Sequence, residues 1–152
     1  MTDYIGEYGA YLREEKHASE NTVSSYLRDV RQFDAYLRTV AETTLTKCRQ
    51  SHVEGYLSYM AGKGKSAASV ARGVASLKSF YTYLLSTGAV RVNPAKGVAP
   101  VRAERKYPQI LTGKEVELFL EQPQCVDAKG YRDHAMLELL YATGIRVSEL
   151  IA

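Results

Sequence analysis

Arg146 stands just past Gly144-Ile145 at the head of an apolar run, and Glu149 follows three residues later. An arginine at a helix N-terminus opposes the helix dipole. It is better accommodated where an anion sits, because the guanidinium and the free backbone N–H groups then converge on one negative charge. Glu149 is placed one turn on to hold such an arginine. An ordinary surface arginine answers the same spacing, so an anion site is one of two readings of these residues.

A second chemistry is written in hydroxyls and cations. Asn21, Thr22, Ser24, Ser25 and Arg28 cluster at the start of one helical pattern. Lys63 and Lys65 precede another, which carries Ser69, Arg72, Ser76, Lys78 and Ser79. Small hydroxyls let a helix approach a phosphate backbone closely, and an arginine reaches a phosphate or a guanine edge. The net charge of +3 is modest, but its distribution is not even. No acidic residue occurs between Glu54 and Glu104, whereas Lys63, Lys65, Arg72, Lys78, Arg91, Lys96 and Arg102 all fall there. Such a stretch suits a polyanion. A solvated helix face with an uneven draw of charges gives the same pattern. Two helices offering the same kind of face favour contact with DNA or RNA.

Other chemistries are excluded. There is no GxGxxG, P-loop or GxSxG. His17, His52 and His134 lack metal-ligand spacing, and Cys48 and Cys125 have no CxxC partner. No metal or other cofactor is expected. Twelve tyrosines accompany no tryptophan. Tyrosine can act as a nucleophile, but most of these lie on apolar stripes and read as packing. The N-terminus is acidic and amphipathic, not a signal or transit peptide. No apolar run approaches the roughly 18 residues a membrane helix needs. A cytoplasmic protein that makes no membrane contact is expected.

These residues must be positioned by helices. Tyr4, Ile5, Tyr8, Tyr11 and Leu12 recur at helical spacing over 3–16. Val23, Tyr26, Leu27, Val30, Phe33 and Leu37 form a regular stripe over 21–40. After a polar turn at 43–46, Ser51 and Glu54 read as a capping box opening a third helix. A fourth, over 66–85, buries Val70, Val74, Leu77, Phe80, Tyr81 and Leu84, and Gly88 stops it. Pro94, Gly97, Pro100 and Pro108 then punctuate a basic segment that reads as a linker over 91–108. A second capping box, Thr112 with Glu115, opens a helix closed by Pro123, and a further helix over 131–141 ends at Gly144. The pattern is all-α: a four-helix domain over 1–90, the linker, and further helices over 109–152. Those last residues are too few to bury a core easily. The chain ends on Leu150-Ile151-Ala152 within an apolar pattern, so it is expected to be a piece of something longer. The exposed apolar faces of its last helices are expected to be disordered, or to dock on another copy as a dimer.

Several runs resemble the tyrosine recombinases, the phage integrase family, in the style of their XerC/XerD-like members. The run Asn21-Thr22-Val23-Ser24-Ser25-Tyr26-Leu27-Arg28-Asp29-Val30 is similar to the second helix of that family's SAM-like core-binding domain. Val92-Asn93-Pro94-Ala95 resembles its interdomain linker, and Tyr107-Pro108-Gln109-Ile110-Leu111-Thr112 the entry to its catalytic domain. The run from Tyr131 through Ala142-Thr143-Gly144-Ile145-Arg146-Val147-Ser148-Glu149-Leu150 is the most specific match.

The resemblance implies a four-helix SAM-like domain that clamps duplex DNA, followed by the first helices of a truncated catalytic domain. It places the family's first catalytic arginine on Arg146 and a supporting acid on Glu149. The family cuts and rejoins DNA through a 3′-phosphotyrosine, without metal or energy cofactor, as protomers assembled on DNA. Its lysine hairpin, His-x-x-Arg box and tyrosine nucleophile have no counterpart within these residues, so this chain alone is expected to bind DNA and not to cut it. The alternative is a free-standing helical module that binds DNA or protein. Such a module has no use for the Arg146 motif.

Overall fold

The computed structural model describes residues 3–99 and 109–152. Pro100, Arg102, Glu104, Tyr107 and Pro108, which figured in the linker and charge readings, lie outside them. Two compact units emerge, Met1–Arg105 and Lys106–Ala152. Among the described residues every regular element is helical. None of the helices is long and apolar enough to cross a membrane.

The first unit holds α1 (Tyr4–Glu14), α2 (Glu20–Thr39), a 3-10 turn (Leu45–Lys47), α3 (Gln50–Gly62) and α4 (Ala67–Ser86). Side-chain oxygens explain most of the starts, since the first N–H groups of a helix have no partner of their own. Ser19 accepts from the Thr22 amide and Ser66 from the Ser69 amide, both at 3.3 Å. The start of α3 differs from expectation. Ser51 is not its cap: the helix begins at Gln50, and His52 Nδ1 accepts the Arg49 N–H at 3.1 Å. Cys48 and Arg49 leave the 3-10 turn extended, so the imidazole takes the capping role earlier in the chain. Glu54 instead accepts from Gln50 Nε2 at 2.8 Å.

The apolar stripes meet in one core. Tyr8 and Leu12 of α1, Val23, Val30, Phe33 and Leu37 of α2, Val53 and Tyr56 of α3, and the whole expected stripe of α4 are buried. Tyr26 is only half-buried and packs at its margin. Rings carry much of the contact: Phe33 meets Tyr56 edge-on at 5.0 Å, and Tyr8 meets Phe80 edge-on at 5.2 Å. The two most deeply buried phenols have hydrogen-bond partners for their hydroxyls. Tyr8 donates to Ser79 Oγ at 2.8 Å and Tyr81 donates to the Leu45 carbonyl at 3.0 Å.

Burial pushes the Tyr8 and Tyr56 phenols up from 10.0 to about 12, and Tyr81 further up still. These groups keep their protons in the fold more firmly than in the unfolded chain. The stability they contribute is complete below pH 10 and is lost as pH rises toward 12. The melting temperature of the chain should therefore hold up to about pH 10 and then fall, Tyr8 and Tyr56 each removing about 2 kcal/mol by pH 12. Tyr8→Phe should flatten this fall in a thermal-melt series; a profile unchanged by the substitution contradicts the assignment.

Part of the segment read as a linker over 91–108 packs against the first unit. Ala95 is fully buried and Val98 nearly so, both within the core of the first unit. Asn93 Nδ2 donates to the Lys78 carbonyl at 3.1 Å and to Thr82 Oγ1 at 3.2 Å, while its Oδ1 accepts from the Ala95 amide at 2.9 Å. Residues 93–98 are thus fastened along α4.

The second unit holds α5 (Gly113–Leu120), α6 (Ala128–Thr143) and α7 (Val147–Leu150). The Thr112–Glu115 capping box is present, with Glu115 accepting the Thr112 N–H at 2.7 Å. Gly144 ends α6 at φ 67°, a left-handed conformation that glycine adopts without steric cost. His134 Nδ1 lies 3.1 Å from the Leu120 carbonyl and joins α6 to the end of α5. None of the helical side chains of this unit is fully buried. Leu118, Phe119, Leu139, Val147 and Ile151 are all exposed.

Candidate nucleic-acid interface

At the start of α2, Asn21 and Ser24 are exposed, and Thr22 and Ser25 half-buried. Two of the hydroxyls are engaged locally: Ser24 donates to the Asn21 carbonyl at 3.1 Å, and Thr22 and Ser19 share a hydrogen bond at 3.0 Å. Arg28 is exposed, one turn further along. Arg31, which was not singled out in the sequence, is exposed beside it at i+3. Neither has an ion-pair partner among the described residues. The spacing from Arg28 was the available signal for Arg31.

The turn between α3 and α4 supplies Lys63 and Lys65, both exposed. Lys63 Nζ lies over the Tyr59 ring at 4.7 Å, a cation–π contact that leaves the ammonium at the surface. Both lysines line a groove of about 310 Å³ together with Gln32, Ala35, Tyr36 and Thr39 of α2. Cations of the α3–α4 turn and the outer side of α2 therefore border one concavity.

Helix α4 meets α2 through a long-range ion pair. Arg72 donates Nε to Asp29 Oδ2 and Nη2 to Asp29 Oδ1, each at 2.9 Å. The Asp29 side chain is 6% exposed, that of Arg72 46%. The Arg72 guanidinium is held still more firmly in its charged form by this hydrogen bonding.

The free face of α4 is rotated from the one expected. Ser76 is fully buried and its Oγ donates to the Gly73 carbonyl at 2.9 Å. It faces the core and cannot touch a ligand. Ser69 is half-buried beside the Ser66 cap, at 2.9 Å between their oxygens. Lys78 is half-buried and its Nζ donates to the Val98 carbonyl at 2.9 Å. The ammonium is engaged by the 93–98 segment. The exposed positions of α4 near Arg72 are Ala68 and Ala75, with Ser79 half-buried and bonded to Tyr8. Alanine serves close approach as well as serine does, without a hydroxyl.

In the second unit Arg146 is the N-cap of α7. Glu149 binds it twice: Oε2 accepts the Arg146 backbone N–H at 2.8 Å and Oε1 accepts from Nη1 at 2.9 Å. These contacts hold the Glu149 carboxyl below its ordinary range. The Arg146 side chain is 82% exposed, so it is oriented by Glu149 and open to solvent.

Residues 5–88 match the phage integrase N-terminal SAM-like domain. The chain belongs to the phage integrase family of tyrosine recombinases. Among its relatives are proteins called tyrosine recombinase XerD. That of Staphylococcus saprophyticus is 35% identical over 99% of this chain and 51% of its own length. That of Listeria innocua is 36% identical over 99% of this chain and 51% of its length. That of Shewanella oneidensis is 40% identical over 90% of this chain and 45% of its length. The chain spans about half the length of the curated relatives it matches. The all-helical first unit of this phage integrase relative contains the whole matched segment. Its buried tyrosines are poor nucleophiles, because burial raises the cost of forming a phenolate.

Proposed function

We propose that this chain is the DNA-clamping N-terminal part of a site-specific recombinase that breaks and rejoins DNA through a 3′-phosphotyrosine. The observation that carries the reading is the set of exposed cations Arg28 and Arg31 of α2, Lys63 and Lys65 of the α3–α4 turn, and Arg72 of α4, which the Asp29 ion pair ties to α2. The sequence between Glu54 and Ala99, which holds Lys63, Lys65 and Arg72, contains no acidic residue. The N-termini of α2 and α4 add backbone N–H groups that favour phosphate. Arg146 is assigned the role of a transition-state cation. It is a permanently charged, planar donor that Glu149 orients toward a phosphoryl oxygen.

Within these residues a tyrosine nucleophile and the other phosphate-binding groups of the family are not represented, so the chain alone binds duplex DNA and leaves the strands intact. In the whole protein, protomers assemble on DNA in the cytoplasm. The exposed apolar face of α5 and α6 is then covered by protein, and in this chain alone a second copy covers it.

Fluorescence anisotropy with a labelled duplex tests the reading. Lys65→Ala should weaken binding severalfold, whereas Arg146→Ala should leave the affinity of this chain within about twofold, since a transition-state contact adds little to ground-state binding. If Arg146→Ala abolished binding and Lys65→Ala did nothing, the interface would lie on the other unit.

A further inference from the structure

The Asp29–Arg72 pair has a geometry that a simple structural clamp does not need. A guanidinium has five N–H donors in a fixed plane. Asp29 takes two of them from one side, through Nε and Nη2. The second Nη2 hydrogen and both Nη1 hydrogens are unengaged among the described residues. Two of these lie parallel on the outer edge of the guanidinium, a fork that matches two oxygens of a phosphate. The carboxylate below is almost fully buried, while nearly half of the arginine side chain is open. The aspartate therefore sets the plane of the guanidinium from beneath, and the other edge makes no hydrogen bond among the described residues.

We propose that Asp29 is a positioning residue for DNA contact: it fixes Arg72 side-on, so that the outer Nη1/Nη2 edge grips one phosphate of a bound duplex. This rests on the DNA-binding reading above and adds to it a residue of negative charge. Simple electrostatics and positioning give opposite signs for its removal. Asp29→Asn makes the chain more positive by one charge, which on charge alone tightens binding to any duplex. If the carboxylate aims Arg72, the same substitution weakens binding.

The test uses the 152-residue chain and mixed-sequence duplexes about thirty base pairs long, titrated at several salt concentrations below the melting temperature of each variant. Asp29→Asn should lower affinity about five- to tenfold and reduce the salt slope by about one, uniformly across duplex sequences. Arg72→Lys keeps the charge and a partner for Asp29, and so protects the fold, but has no second edge. It should show a similar loss. The double variant should bind no more weakly than Arg72→Lys alone, because both changes remove one contact. Affinity that is unchanged or raised in Asp29→Asn overturns the proposal, as does wild-type binding by Arg72→Lys. Losses that simply add and follow the melting temperatures also overturn it, since they describe a packing role. A loss confined to particular sequences overturns the phosphate assignment. Failure of the unsubstituted chain to bind any duplex at low salt sinks the DNA-binding reading itself, a result distinct from all of these.

Discussion

Raising monovalent salt from about 50 to about 200 mM should lower the affinity of this chain for duplex DNA by roughly 500-fold. The size follows from the cations that the fold leaves at the surface. Arg28, Arg31, Lys63, Lys65 and Arg72 give about five phosphate contacts, and each displaces close to one counterion, for a log–log slope of about −4.5. Lys78 is not counted, because its ammonium is bonded to the Val98 carbonyl. Anisotropy titrations at four or five salt concentrations give the slope directly. A slope shallower than about −2 would mean that most of these cations stay in solvent, and the proposed interface would fail.

Phe33→Ala should produce the largest loss of stability. Phe33 is completely buried and lies where three helices meet: on α2, edge-on to Tyr56 of α3 and to Tyr81 of α4. Removing its ring deletes buried apolar surface and leaves a cavity that rigid helices only partly close. The cost is about 3–5 kcal/mol. For a unit of this size that is a drop of about 15–30 °C in melting temperature. Phe119→Ala on α5 is the control, since that residue is 54% exposed and the loss of its ring should move the midpoint little. DNA binding should vanish with the first unit when it melts. A Phe33→Ala chain melting within about 5 °C of the parent would show that the three helices do not depend on this ring.

The helices were legible in the sequence because each long one is apolar on one side only. The period of Val70, Val74, Leu77, Phe80 and Leu84 cannot be drawn on a strand, and all five are buried. The free face of α4 was harder to read. Ser76 looks polar in the sequence, but serine is small, and its hydroxyl is satisfied within its own helix by the Gly73 carbonyl. It therefore fits a core position that a larger polar residue could not. The pairing of Asp29 with Arg72 joins residues far apart in the chain, and no local spacing reveals it. Glu149 with Arg146, by contrast, is an i,i+3 contact and follows from the spacing alone. The segment after α4 departs from its linker reading because proline and glycine mark a break in helical period, which says nothing about whether the chain then leaves the surface. Ala95 and Val98 show that it does not.

The aromatic core has an optical consequence. With no tryptophan in the chain, near-ultraviolet dichroism and intrinsic fluorescence come from tyrosine. The rings locked in asymmetric packing, such as Tyr8, Tyr56 and Tyr81, belong to the first unit, whereas Tyr131 and Tyr141 of the second are exposed. The near-ultraviolet band is thus a built-in reporter of order in the first unit, readable without a label whatever the state of the second.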